Sequence, residues 1–327
     1  MRIHRRFLGW GVFLILAGSI PLAVRAGYLS TDQLRDVGGL WPLILVGIGV
    51  GLMLSRTRYG FLGGFIVAAT FGIIVGGLLA GSVGGFDLGC GSVRGASAFE
   101  PREGPLTGPD VSVDIDLGCG DLSVAVAPGD TWRLEGQDRD GKGPNLEADN
   151  DSLRLRSRDS DRGLFGALGE REHWLLTLPD GPRLDTRLTL NAGSSTINLA
   201  GAHLGQFETT LNAGSTTIEL GDVREIGGLD VQVNAGSIGI TLPNLSMHGS
   251  IQVNAGAVKL CTPPGVGVRV TTKESIVSSY DFAGAGLTRN GSTWETPGFG
   301  GATVKIELDA QANAGSVSLN QGDGCQG

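Results

Sequence analysis

In the middle of the chain, apolar and polar side chains alternate in short runs that come in pairs. Leu188 and Leu190 are followed by Ile197 and Leu199, Phe207 and Leu211 by Ile218 and Leu220, Val231 and Val233 by Ile238 and Ile240, and Ile251 and Val253 by Val258 and Leu260. A period of two puts every second side chain on the same face of an extended chain, so each run predicts a β-strand with one buried face. Between the two runs of each pair stands Asn-Ala-Gly, starting at Asn191, Asn212, Asn234 and Asn254 with spacings of 21, 22 and 20 residues, and once more at Asn313. Asn and Gly are the residues that most readily take positive φ. Asn191, Asn212, Asn234, Asn254 and Asn313, with Gly193, Gly214, Gly236, Gly256 and Gly315, are therefore the expected corners between strands.

A unit of about 20 residues with two short strands cannot bury its apolar face alone, whereas stacked units share a continuous core. The preferred fold for the repeats is accordingly a β-solenoid. Stacking would align the asparagines, so that each amide bonds the next in a ladder using both its donor and its acceptor. An antiparallel β-sandwich is the alternative, because a three-residue loop containing Gly also closes a hairpin with a bulge. A weaker copy of the pattern, Asp116-Leu117-Gly118-Cys119-Gly120-Asp121-Leu122-Ser123-Val124, extends the array toward the N-terminus. The 59 residues from Asn254 to Asn313 are close to three periods, which predicts degenerate coils filling that interval.

The first part of the chain has unbroken apolar runs instead of alternation. Runs over about residues 7–24, 38–55 and 61–83 suit three transmembrane helices, each near the roughly 20 residues a bilayer requires. Arg2, Arg5 and Arg6 precede the first run and Arg56 and Arg58 lie between the second and third. Both clusters belong on the cytoplasmic side by the positive-inside rule, which sends everything after the third run outside. A cleavable signal peptide ending near Val24-Arg25-Ala26 competes for the first run and leaves that placement unchanged. The expected organisation is a membrane domain over residues 1–84, held in the lipid bilayer of a multi-pass cell-membrane protein, and an extracytoplasmic β-repeat domain over 85–327.

Charge sharpens this division. Residues 1–84 hold seven Arg and two acids, leaving 18 basic against 31 acidic residues for the remainder, about −13. So acidic an outer part lacks the clustered cations that nucleic acid binding demands. Gly accounts for 56 of 327 residues without a three-residue period, which excludes a collagen-like chain and assigns glycine to turns. Cys90, Cys119, Cys261 and Cys325 all lie beyond the apolar runs, where an oxidising compartment favours disulfides. Cys90 and Cys119 occupy the same pentapeptide, Asp-Leu-Gly-Cys-Gly, which suggests Cys90 with Cys119 and Cys261 with Cys325, among three pairings open to four cysteines.

Catalytic and metal patterns are not found in the sequence. His4, His173, His203 and His248 are scattered, and neither a Gly-x-Ser-x-Gly elbow nor a phosphate-binding Gly-Lys-Ser/Thr loop occurs. The acidic stretch from Asp138 places Gly141 fourth rather than sixth, so it reads as a turn and not a calcium loop. The expectation is a protein that is not an enzyme and uses no cofactor.

Two stretches resemble known families. Gly9-Trp10-Gly11, and Trp41-Pro42-Leu43-Ile44-Leu45-Val46-Gly47-Ile48-Gly49-Val50, resemble the transmembrane region of LiaI- and LiaF-like proteins. Leu178-Pro179, the repeated Gly-Ser turns and the closing stretch through Gly291, Trp294, Ala302, Lys305, Ile306, Gly315 and Val317 resemble the toast-rack, or adhesin-like, β domain. That domain occurs in proteins of the cell-wall-active antibiotic response. The resemblance implies a role in sensing or regulating cell-envelope stress beside a membrane sensor kinase or another envelope protein. The alternative is an adhesin-like or structural module that binds cell-wall polymer or a protein partner. Such proteins often have four spans where this sequence has three.

Overall fold

The chain divides into two compact units, Met1–Leu88 and Gly89–Gly327. The computed structural model describes residues 96–158, 171–273, 275 and 277–321, all in the second unit. The three expected membrane spans, Cys90 and Cys325 lie outside the described residues. Among the described residues no helix is long and apolar enough to cross a membrane.

The strands in chain order begin with β1 (Ser97–Ala98), β2 (Arg102–Pro105), β3 (Asp110–Ala127), β4 (Thr131–Asp138), β5 (Asn145–Ala148), β6 (Ser152–Arg156) and β7 (Glu172–Pro179). The repeats supply β8 (Arg183–Asn198), β9 (His203–Leu211), β10 (Gly214–Glu219), β11 (Glu225–Thr241) and β12 (Met247–Thr262). The chain continues with β13 (Gly267–Lys273), β14 (Ser279–Asp281), β15 (Thr288–Asn290), β16 (Thr293–Glu295) and β17 (Lys305–Gln321).

Parallel pairing stacks these strands into rungs. β3 pairs with β8, β8 with both β9 and β10, those two with β11, β11 with β12, and β12 with β17. The repeats thus form a β-solenoid, and their parallel register excludes the antiparallel sandwich. Equivalent side chains stack in rows, such as Leu190, Leu211, Val233, Val253 and Ala312, or Ile197, Ile218, Ile240, Leu260 and Leu319. Every apolar residue of the alternating pairs named above is buried in one core. A fully buried Leu or Ile contributes about 1.5–3 kcal/mol, against roughly 1–2 kcal/mol of backbone entropy for every residue ordered. One rung holds too few apolar side chains to offset that cost, so stability comes from neighbours.

The ends of the stack depart from the sequence reading. β17 lies directly on β12, with Ala255 opposite Ala314 and Gly256 opposite Gly315, so no coil separates Asn254 from Asn313. The intervening residues instead form β13 and β14, which pair on the far side of β17 as one short outer rung. The expectation of degenerate coils filling the interval is corrected accordingly. β6 and β7 likewise lie outside β3, although they come after it in sequence. Antiparallel strands then close three of these outer edges: β4 on β7, β5 on β6 and β16 on β13. Pairing an otherwise open edge blunts its tendency to recruit another chain.

Candidate functional site: the repeated corner and its two faces

The most repetitive part of the molecule is the corner. Five rungs pass through it without leaving the strand, as β8 does from Arg183 to Asn198, so it is a bend within an extended run and not a separate turn. Gly193, Gly214, Gly236 and Gly256 have φ of 121°, 121°, 126° and 143°. A Cβ on Gly214 would stand 1.9 Å from the carbonyl oxygen of Gly193, one on Gly236 2.1 Å from that of Gly214, and one on Gly256 2.0 Å from that of Gly236. Each corner glycine therefore rests on the backbone of the one before it. At these four positions glycine is required twice over, by conformation and by contact. Gly315, also expected as a corner, lacks the positive φ and is held to glycine by contact alone, a Cβ there standing 2.5 Å from the Gly256 carbonyl oxygen.

The asparagines do something other than turn the chain. No residue except glycine has positive φ among the described residues, which corrects the expectation that Asn supplies the corner conformation. Their amides form a one-way ladder instead. Asn313 Nδ2 donates to Asn254 Oδ1 at 2.8 Å, Asn254 to Asn234 at 2.7 Å, Asn234 to Asn212 at 2.6 Å and Asn212 to Asn191 at 2.7 Å. Asn191 donates to the Asp116 carboxylate at 2.9 Å, ending the row on an anionic acceptor. A charged acceptor makes the stronger hydrogen bond.

Beside that end lies a compact polar cluster. Arg171 grips Asp121 through Nε and Nη2, each at 2.9 Å, and Ser194 donates to the same carboxylate. The Arg171 hydrogen bonds hold the Asp121 carboxyl below the usual aspartate range, against an opposing push from partial burial. Ser157 donates to Glu172 while accepting from the Gly118 amide at 2.8 Å. These groups satisfy one another, the pattern of a structural terminus.

The corner separates two outward faces of opposite character. Before it, charges pair across rungs: Arg187 with Glu208 at 2.7 Å, Arg183 with Asp110 and Glu225 at 3.7 and 3.5 Å, and Arg269 with Glu295 and Glu307 at 2.6 and 3.1 Å. After it, register aligns Ser194, Ser215, Ser237, Ala257 and Ser316 in one row and Thr196, Thr217, Gly239, Lys259 and Ser318 in the next. Lys259 is the one charged residue among these ten, and the register carries the first row on to Asp121 and the second to Asp281 at the ends. The hydroxyls of Thr196, Ser215, Thr217 and Ser237 are exposed and bond no other group among the described residues. These rows went unread in the sequence, although aligning the Asn-Ala-Gly copies would have exposed them.

Cys119 stacks on Ala192 beside the corner, and Cys261 faces Thr241 and Asn320; both are buried, and no cysteine among the described residues is free. Asp138, read as a turn residue, accepts the amides of Lys142 at 3.1 Å and Gly143 at 2.7 Å. His173, His203 and His248 sit on separate strands, and among the described residues no group of His, Cys, Asp and Glu is placed to hold a metal ion.

Residues 109–242 match the family described as the N-terminal domain of toast_rack, DUF2154. The toast-rack match runs from β3 through β11, covering the start of the stack and most of the Asn ladder. A solved structure of a putative cell adhesion protein from Clostridium sporogenes is 17% identical, with 68% of this chain and 100% of that one covered and a TM-score of 0.46. A putative adhesin from Bacteroides fragilis is 11% identical, with 68% and 97% covered and a TM-score of 0.25. No curated protein matches the chain.

Proposed function

We propose that this chain is a non-enzymatic, multi-pass cell-membrane protein whose extracytoplasmic toast-rack solenoid takes part in sensing or regulating cell-envelope stress. The observation that carries this reading is the joining, in one chain, of three long apolar runs to a stack whose corner leaves no space for a single added carbon. Such a stack moves as a unit, so a load or contact on its surface is passed to whatever holds it. The partner would be a membrane sensor kinase or another envelope protein. Cross-linking in native membranes, with and without a cell-wall-active antibiotic, tests this directly. Capture of a sensor kinase in an amount that changes with the drug supports the proposal, and capture that ignores the drug ends it.

A second reading is favoured by the hydroxyl rows. In a chain of net charge −8, a nearly uncharged strip of Ser and Thr, repeating every 4.7–4.9 Å or about one strand spacing, suits a neutral, polyhydroxylated polymer lying along the stack. That is the adhesin-like or structural role, with cell-wall polymer as ligand. Sedimentation of the purified full-length chain with cell-wall material, compared with Thr196→Lys and Thr217→Lys, decides it. Loss of co-sedimentation in the variants supports this reading; equal binding removes the face from consideration.

The proposed disulfides, Cys90 with Cys119 and Cys261 with Cys325, would tether segments near the two ends of the stack. Peptide mapping of the unreduced protein distinguishes this pairing from the other two.

A further inference from the structure

Asn290-Gly291 is the one Asn-Gly step in the sequence, and its surroundings differ from those of the ladder asparagines. Asn290 pairs with Thr293, so Gly291 and Ser292 form a two-residue loop between β15 and β16. Gly291 has φ of 63° and Ser292 has no positive φ, which is the type II′ pattern with glycine in the first central place. Asn290, Gly291 and Ser292 are all exposed. The Asn290 amide bonds no other group among the described residues, and nothing lies within 4 Å of where a Gly291 Cβ would be. Each ladder asparagine, by contrast, precedes an Ala and has its amide nitrogen held by a neighbouring oxygen.

We propose that Asn290 is a site of spontaneous deamidation, and that the ladder asparagines are protected from the same reaction. The backbone nitrogen of Gly291, losing its proton to hydroxide, attacks Cγ of Asn290. The Cγ–Nδ2 bond breaks, ammonia leaves, and a five-membered succinimide forms. Water then opens the ring at one carbonyl or the other, giving aspartate or isoaspartate at position 290. Glycine's lack of a side chain leaves the attacking nitrogen unobstructed, and the free amide can rotate into line with it.

The product changes the end of the stack. Arg289, whose guanidinium lies 5.5 Å from the centre of the Trp294 ring, gains an adjacent carboxylate. Isoaspartate also inserts a methylene into the main chain of β15, whose partner β16 closes the edge of β13.

The test is to incubate the purified full-length chain at mildly alkaline pH, digest it briefly in acid, and map the peptides by mass. The expected result is conversion of amide to acid confined to the Asn290 peptide, at a rate rising with hydroxide concentration and abolished in Asn290→Gln. Peptides carrying Asn191, Asn212, Asn234, Asn254 and Asn313 should remain unconverted. An unchanged Asn290 peptide, or conversion of the ladder peptides at a similar rate, overturns the proposal.

Discussion

The two bends of each rung obey different rules. The corner repeats nearly the same residues in rung after rung, while the opposite bend varies: Ala200–Ala202 in one rung, Gly221–Arg224 in the next, Leu242–Ser246 in a third. Spacings of 21, 22 and 20 residues reflect those bends together with a bulge between Leu184 and Thr186, where β9 uses one residue more than β8. Gly201, at the variable bend, has φ of 84° and nothing within 4 Å of a built Cβ, whereas Gly236 at the corner would strike backbone. Both glycines have positive φ, but only the corner glycine is also locked by contact. Rungs touch at both bends, the Gly201 amide donating to the Asp222 carbonyl at 2.9 Å at the variable one, but Gly201 has open space for an added carbon and Gly236 has none.

The sharpest way to break this comparison is to add one carbon on each side. Gly236→Ala should cost roughly 3–5 kcal/mol, since the added atom meets an immovable carbonyl. Gly201→Ala should cost about 1 kcal/mol, from conformation alone. Urea denaturation of both variants measures the difference, and equal losses would remove contact from the explanation.

The ladder offers the next test. Asn234→Ala leaves the Asn254 amide without its acceptor and the Asn212 carbonyl without its donor, for an expected loss of about 1–3 kcal/mol. Asn244→Ala, on the exposed opposite bend, should stay within about 0.5 kcal/mol. Thermal unfolding of the pair checks it; matching midpoints would mean that the amide row contributes nothing.

Smaller still is the contribution of Asp121. Its carboxyl titrates lower in the folded chain than in the unfolded one, because Arg171 and Ser194 hold the charged form. The stabilisation is therefore complete above the unfolded aspartate value and fades as pH falls through the folded one. For a partly exposed pair the effect is about 1 kcal/mol. Asp121→Asn should flatten the acid limb of a stability-against-pH curve, and an unaltered limb would locate the acid sensitivity elsewhere. On the hydroxyl face, Ser215→Ala and Thr217→Val should change stability by less than about 0.5 kcal/mol, so a loss of binding there would report recognition and not folding.

Much of this architecture was legible in the residues because stacking writes a period into the chain. The alternation from Leu188 to Leu260 located the core, and the spacing of Asn191, Asn212, Asn234 and Asn254 anticipated an amide row. The ends were not legible, for a physical reason: β4, β5 and β16 pair antiparallel and have no rung to copy, so they carry no period. The corner's division of labour was also hidden, since Asn and Gly are both turn residues by preference and only three dimensions show that Gly bends while Asn bonds. Thr196 and Thr217 escaped notice because a surface hydroxyl looks ordinary until its neighbours fall in line.

The direct seating of β17 on β12, with the outer rung inserted between them in sequence, gives this fold a modular length. The pieces that finish the stack are encoded between rungs and fastened to β3 and β17, leaving the middle rungs bounded by surfaces of the same kind above and below. Excising one whole period, from Gly214 to the residue before Gly236, would bring Gly193 to rest under Gly236 with the amide row rejoined from Asn254 to Asn212. A gene can lengthen or shorten such a protein by copying or dropping a unit, without redesigning either end.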